Sequence, residues 1–447
     1  MNKFDVVIIG GGNAGFGVSA IVSEAGKSIA FIEERDFGGT CPNRGCTPKK
    51  VLVAAAHALH EIEQASVHCI EVDAPKLDWA KLIARKDDMI GFIPDAMYNV
   101  AAKRGKVFRG TAKFTGSNSI SVDGQEIAGE HIVIATGSKP RPLPIPGAEH
   151  MITSEQVLSQ TKRPDKVVFI GGGVVAMEFA HVYARAGTKV TILEAMPQLL
   201  PRLDADAVAA IQTETERLGV TIHTNVKVNG ISQKNDGLNV NYTHGDHEHS
   251  VPVDCVINGT GRVANVETLD LSAAGIKHDG IRIEVDENLR SVSNPSVWVA
   301  GDALVHTAQL SPVATYEGRL VGKNIVSGAM QSPDYSVLPT AVYTVPAVAS
   351  LGITEADALK QGLDVSVKTN DMTTWFSSRI HAQNVAYSKI IIDKNTDLIL
   401  GAHMVGHRGE EIIHIIALAM RHGITASELR DMPMAFPTFS SDIKNLL

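Results

Sequence analysis

Residues 38–50 read GGTCPNRGCTPKK and hold two of the chain's four cysteines, Cys41 and Cys46, five positions apart. Thiols at such spacing serve metal ligation, a structural crosslink or reversible redox exchange. As zinc ligands the pair needs two further partners, and Cys69 and Cys255 are isolated and distant in sequence. A disulfide needs Cα atoms about 4.4–6.8 Å apart, whereas five extended steps span about 16–18 Å, so the chain between them must turn. Gly45 permits the bend, Pro42 biases Cys41 toward an extended conformation, and Pro48 suits the first turn of a helix that VLVAAAHALHEI continues. Cys46 then stands at a helix N-terminus, where the macrodipole, Lys49 and Lys50 lower a thiol's pKa. Two inert buried thiols would leave the flanking glycines and proline unexplained.

The elements that position this pair belong to an ordinary globular chain of 447 residues, 44% apolar and 20% charged, long enough for about three domains. The formal charge of -8, with no Lys/Arg-rich block, argues against nucleic acid or an anionic membrane as partner. The N-terminus MNKFDVVIIGGG does not read as a signal peptide, and no stretch approaches the ~18 uninterrupted apolar residues of a membrane span. The expected location is cytoplasmic, a compartment in which four cysteines do not make a structural disulfide framework.

One unit occurs twice: FDVVIIGGGNAGFGVSAIVSEAGKSIAFIEE and KVVFIGGGVVAMEFAHVYARAGTKVTILEA. Each reads as a buried strand, a glycine turn, a helix with a small-residue face, and a second strand ending in an acid. Gly10, Gly12 and Gly15 complete GxGxxG, with Glu33 23 residues after Gly10; Gly171, Gly173 and Ala176 give GxGxxA, with Glu194 23 residues after Gly171. The spacing provides a tight turn, close approach of backbone to a pyrophosphate, a helix N-terminus to bind it and an acid for the ribose hydroxyls. Two dinucleotide sites in one chain imply an electron relay. Glu194 would repel a 2′-phosphate and no Arg or Lys follows until Arg202, so NADH is favoured over NADPH.

Helices are expected from Val51 to about Ala65 and over roughly 78–104, and short strands from about 220 to 257. Within the latter, THGDHEHS carries His244, His247 and His249; with no cysteine or paired acids beside them, a polar hairpin turn is the preferred reading over a metal tract. Beyond 335, AVYTVPAVASLG, YSKIIIDK and LILGAHMVG read as strands before an apolar-striped helix at about 409–422, a separate α+β module.

GTAKF at 110–114, IVIATGS at 132–138, NGTGR at 258–262, VWVAGDA at 297–303 and LSPVATYEG at 310–318 follow in that order. With GGTCPNRGCTPKK they resemble the class I FAD-dependent pyridine nucleotide–disulfide oxidoreductases, the glutathione reductase and dihydrolipoamide dehydrogenase type, over nearly the whole chain. The resemblance implies an α/β fold with two Rossmann-like FAD/NAD(P)-binding domains plus a C-terminal α+β dimerisation domain. The FAD-binding domain would span 1–152 and 265–335, the NAD(P)H-binding domain 153–264 and the interface domain 336–447, assembling as a homodimer. By the same resemblance Glu33 holds the adenosine ribose, Ala112 the adenine through its backbone, and Asp302 the ribityl and phosphate side of FAD. Gly39, Thr40, Thr136, Gly137, Gly261 and Gly301 belong to cofactor-binding motifs. Glu178 matches the acid that pairs with a lysine beside the flavin N5, and either Lys49 or Lys50 can be that lysine. Electrons would pass from NADH through FAD to the Cys41–Cys46 disulfide, with Cys46 facing the flavin and Cys41 exchanging with substrate.

The C-terminus departs from this pattern. Where such reductases carry HPTxxE, whose His is general acid/base for the thiols, this chain reads FPTFSS: Phe436 replaces the His and Ser441 the Glu. Phenylalanine transfers no proton. Asn13 and Ala20 replace the Ser and Arg of glutathione reductases, and with no cysteine after Cys255 the chain lacks the C-terminal cysteine pair of mercuric reductases and large thioredoxin reductases. The expectation is an NADH-dependent FAD enzyme acting on a small disulfide or thiol adduct. The alternatives are a quinone, oxygen or metal-ion reductase of the same fold, and a flavoprotein redox sensor without turnover.

Overall fold

The fold was analysed in a computed structural model that describes residues 2–234, 237–305 and 308–447. It divides into two compact units, Met1–Lys49 with Ala84–Arg141 and Arg262–Asp334, and Lys50–Ile83 with Pro142–Gly261 and Tyr335–Leu447.

The first unit is built on a sheet in the order Lys106–Arg109, Ile29–Glu33, Asn2–Ile9, Gln125–Ile134, with Val297–Val299 pairing the end of the last strand and the hairpin strands Ser119–Val122 and Ala112–Gly116 continuing from its start. Its central members pair in parallel. Val6, Val7, Ile8, Phe31, Ile132, Val133 and Val299 are all fully buried, as both faces of a parallel sheet require. The helices Asn13–Glu24 and Ser311–Ser327 cross closely against it. A Cβ on Gly318 would meet the Ala14 carbonyl oxygen at 2.1 Å and one on Gly17 the Thr315 carbonyl oxygen at 2.7 Å, so the crossing depends on both glycines.

In the second unit a parallel sheet runs Thr221–His223, Lys189–Leu193, Lys166–Ile170, Cys255–Asn258, Met151–Ile152. Beside it lies an antiparallel sheet of Val226–Lys234, Gly237–His244 and His247–Val253. His244 faces His247 across Gly245, whose φ of +60° suits the tight turn, so the histidine-rich stretch is a hairpin. The C-terminal five-stranded antiparallel sheet runs Thr340–Val342, Val348–Gly352, Ile399–Val405, Tyr387–Asp393, Val365–Asp371, backed by the helix Gly409–His422. Ile412, Ile413, Ile416 and Ala419 bury its apolar stripe in that module's own core, and Leu418 stays exposed.

As Pro48 in its first turn implied, the helix after the cysteines begins at Cys46, and it runs to Gln64. The helical stretch at 78–104 is two helices, Trp79–Ile90 and Ile93–Arg104, because Pro94 lacks the N–H a continuous helix needs and Gly91 eases the break. The strand Val365–Asp371 was not anticipated; VSVKTND carries few apolar residues because it lies at a sheet edge.

Candidate active site

The thiol loop coils as its residues demand. Thr40–Arg44 forms one short helix, Gly45 breaks it at φ -141°, and the next helix starts at Cys46. Asn43 Nδ2 donates to the carbonyls of Phe37 (2.9 Å) and Gly39 (3.1 Å) and holds the loop closed. Cys41, half-buried, and Cys46, exposed, are free thiols. A hydrogen bond from Cys41 brings the Cys46 thiol down to about 6 against the opposing effect of burial, aided by the Ser311 hydroxyl and the Lys49 charge. The same hydrogen bond, with burial, pushes Cys41 well above the ordinary thiol range. The pair is thus poised as one thiolate and one thiol at neutral pH. Ser311 Oγ lies 3.4 Å from Cys46 Sγ at the start of the helix Ser311–Ser327, and Asn13 Nδ2 donates to the Ser311 carbonyl (3.3 Å) and Thr315 Oγ1 (3.4 Å). No local pattern in LSPVATYEG marks Ser311 for this contact, because it is made through the fold, 265 positions away.

The first glycine turn has the form of a nucleotide cradle. Gly12 caps the helix Asn13–Glu24 with no side-chain hydrogen bond, leaving its first N–H groups directed at the turn. Within the protein a Cβ on Gly12 would meet nothing closer than 3.8 Å. Glycine is therefore not required there by the protein itself, and the open space suits the close approach of a ligand. At Gly15, by contrast, a Cβ would stand 2.1 Å from the Gly10 carbonyl oxygen, and at Gly39 one would stand 2.7 Å from the Gly12 Cα. Glu33 Oε2 accepts from the Gly11 N–H (2.7 Å) and Oε1 from the Arg35 N–H (2.8 Å). The Gly110 N–H donates to the Glu33 carbonyl (3.1 Å), and Ala112 is buried at the start of its strand two residues on.

Further along the same unit, the Thr136 hydroxyl oxygen is buried without a hydrogen-bond partner, beside Gly137 at φ +71°. Ser138 Oγ donates to Asp302 Oδ2 (2.9 Å) and accepts from Arg262 Nε (2.8 Å). Burial raises the Asp302 carboxyl above the usual range, opposed by Ser138 and by the Arg262 charge. Gly301 donates its N–H to the fully buried Glu317 (2.7 Å). The orphaned hydroxyl, the uncapped helix and the open Gly12 together fit a dinucleotide such as FAD; Thr40 begins the short helix beside them.

The second unit repeats the device. Gly173 caps Val174–Arg185 with no side-chain bond, and a Cβ there would meet nothing closer than 3.7 Å. Gly171, at φ +98°, lies against the Gly259 carbonyl, and Ala176 is fully buried. Glu194 Oε2 accepts from the Gly172 N–H and Oε1 from the Met196 N–H (2.7 Å), matching Glu33 bond for bond. Gly261 adopts φ +98° at the end of NGTGR. Glu178, 3% exposed, accepts from the Tyr343 N–H through Oε1 (2.8 Å), and Lys50 Nζ stands 3.5 Å from the centroid of the Tyr343 ring. Tyr343 thus meets both Glu178 and Lys50, whereas Lys49 exerts its charge on Cys46. Nothing in the sequence marked Tyr343, because its role comes from a ring and a backbone N–H brought to residues far away in the chain.

Phe436 is 73% exposed. Ser441 turns back to Thr438, whose Oγ1 accepts from the Ser441 N–H (3.1 Å), so it caps a turn and orients no distant group. Asp442 instead meets His407 Nε2 at 3.0 Å, and Ser378 Oγ lies 3.1 Å from His407 Nδ1. His407 is fully buried, and burial holds its pKa below the ordinary value.

Residues 4–318 match the pyridine nucleotide-disulphide oxidoreductase family and 338–447 its dimerisation domain. The chain is 31% identical to a mercuric reductase of Streptomyces lividans, covering 99% of this chain and 98% of that protein. It is 30% identical to a glutathione reductase of Burkholderia cepacia, covering 99% and 98%. Among solved structures, the Cu(II) complex of the HOCl-induced flavoprotein disulfide reductase RclA from Escherichia coli superposes with a TM-score of 0.89 at 29% identity, covering 100% of this chain and 99% of that one. Among the described residues no helix is long and apolar enough to cross a membrane. With two glycine-turn sheets, a thiol pair and a C-terminal antiparallel module, the chain belongs to the pyridine nucleotide-disulphide oxidoreductase family, as an FAD-dependent, NAD(P)H-using flavoenzyme with a dimerisation domain.

Proposed function

We propose that the protein takes electrons from NADH and delivers them through the Cys41–Cys46 dithiol to a reducible, thiol-binding metal ion, Cu(II) or Hg(II) in class, as a homodimer. The observation that carries this reading is the exposed Phe436 where a proton donor would be needed, combined with a Cys46 thiol that Cys41, Ser311 and Lys49 bring down to about 6. FAD, when bound, supplies the two-electron carrier between the nicotinamide and the thiols.

The proton balance favours a metal ion. One Cys41 thiol, one Cys46 thiolate and two Cu(II) give the disulfide, two Cu(I) and one released proton, so no acid is consumed. Reduction of a disulfide by the same pair consumes a proton to yield two thiols, and Phe436 cannot supply it. Thiolates are soft ligands that favour the Cu(I) product over Cu(II), which draws the reduction forward. The mercuric reductase relative and the Cu(II) complex of RclA support the same class of acceptor.

NADH is the proposed donor because Glu194, 7% exposed, holds its carboxylate at the end of the second nucleotide strand, where a 2′-phosphate would be repelled. Lys50 is the proposed flavin-side lysine, supported by its meeting with Glu178 at Tyr343, and Cys46 the proposed flavin-facing thiol. The homodimer is supported by the dimerisation-domain match and by exposed Phe376, Leu418 and Phe436 in that module. A small disulfide or thiol adduct is the second reading, favoured by the name of the family and by RclA's description as a disulfide reductase.

The deciding experiment is anaerobic reduction of the purified holoprotein by NADH or NADPH, followed through the long-wavelength thiolate–flavin absorbance. We expect NADH to develop the band faster, and Cu(II) to discharge it with Cu(I) trapped by a chelator. Discharge by glutathione disulfide and not by Cu(II) or Hg(II) would replace the metal reading with the second one.

A further inference from the structure

We propose that Tyr343 is a positioning residue that holds the Lys50 side chain in its charged form. Lys50 Nζ stands 3.5 Å from the Tyr343 ring centroid, well inside the range at which an aromatic face attracts an ammonium. The ring is partly buried against the core of its unit, so it presents a fixed face to a lysine that is otherwise exposed.

What fixes the ring is its backbone. The Tyr343 N–H donates to Glu178 (2.8 Å), the Val345 N–H to His181 Nδ1 (3.2 Å), and Arg185 Nη2 donates to the Val345 carbonyl (3.1 Å). Glu178, His181 and Arg185 are spaced three and four residues apart on Val174–Arg185 and therefore share one face of that helix. A segment gripped at three points cannot slide, and Thr344 between them is fully buried. The nucleotide-turn helix thereby sets where Tyr343 stands, and Tyr343 sets where Lys50 stands. The charge of Lys50 is felt by His57, one of the causes that, after burial, bring that imidazole to about 4 together with His60 and Arg408. Lys50 faces the Tyr343 ring and shares a helix face with Cys46 four residues before it, and its charge reaches His57, on which His60 and Arg408 also act.

The functional consequence rests on the reading of Lys50 as the flavin-side lysine, but the placement can be tested separately. In the holoprotein, competitive labelling of amines with acetic anhydride across pH 7–11, read by peptide mass spectrometry, reports the titration of Lys50. Tyr343→Leu should make Lys50 about threefold more reactive at pH 8, Tyr343→Phe should leave it unchanged because the ring face remains, and Tyr343→Trp should make it less reactive. Equal reactivity in the Leu variant and the parent, or equal shifts in the Leu and Phe variants, would overturn the proposal. The thiolate–flavin band recorded on the same unlabelled samples tests the electron route on its own; its absence from the parent would sink that route and leave the labelling result standing.

Discussion

Ser311 Oγ reaches Cys46 Sγ at 3.4 Å, so a hydroxyl at the start of one helix faces a thiol at the start of another. Both helix N-termini favour negative charge, and the hydroxyl can turn its proton toward the sulfur. Ser311→Ala removes that donor. We expect the Cys46 pKa to rise from about 6 by about one unit, which lowers the thiolate fraction at pH 7 from about nine-tenths to about half. Iodoacetamide alkylation of Cys46 against pH measures it, and an unchanged profile would show that Cys41 and Lys49 suffice.

Gly12 and Gly173 have room for a methyl group within the protein. Gly12→Ala should therefore fold normally and lose several-fold in flavin content, measured as the ratio of flavin to protein absorbance after purification. Gly173→Ala should keep its flavin and raise the KM for NADH at least tenfold. A lowered thermal midpoint in the flavin-stripped variants would mean that the glycines serve the turn rather than a ligand.

Phe436 stands in place of a proton donor and packs into no core of its own chain. Phe436→His should raise NADH oxidation with glutathione disulfide by about 10–100-fold, at or below the lower limit of what a positioned acid/base contributes, because Ser441 cannot orient the ring. Cu(II) reduction should stay within twofold. Parallel increases in both activities would contradict the proton balance argued above.

His181 is fully buried, with Nδ1 accepting from Val345 and Nε2 2.9 Å from Thr215 Oγ1. Burial, followed by the nearby Arg185 charge, brings its pKa to about 3, against about 6.5 in the unfolded chain. Between those values the unfolded state binds the extra proton, so stability is full above about pH 6.5 and falls as the pH drops toward 3. From pH 7 to 5 this one residue should cost about 2 kcal/mol. Urea midpoints at the two pH values should differ less in His181→Gln than in the parent; an equal difference would assign the acid sensitivity elsewhere.

The glycine turns, the strand-ending acids and the thiol loop were legible because each is a local demand. A backbone that must turn at Gly10 or bend at Gly45 restricts which residue can stand there, and it does so within a few positions. The C-terminal strands YSKIIIDK and LILGAHMVG were legible from their apolar runs for the same reason. What escaped were contacts made only by folding: Ser311 on Cys46, Tyr343 under Lys50, and His407 against Asp442. The choice between Lys49 and Lys50 is a case of its own. The two are neighbours of one type, and only the helical turn between their directions separates the one that acts on Cys46 from the one that lies on Tyr343.

The doubled bonds of Glu194 tie nucleotide preference to the mechanics of the turn. One oxygen tethers Gly172 and the other Met196, so the carboxylate that would repel a 2′-phosphate is also the staple that keeps the loop taut. A protein engineer who replaces it with a neutral residue to admit NADPH also cuts two tethers. Widening the choice of reductant in this chain therefore requires a second substitution that restores an acceptor for the Gly172 and Met196 amides, and a single exchange should give a looser enzyme before it gives a broader one.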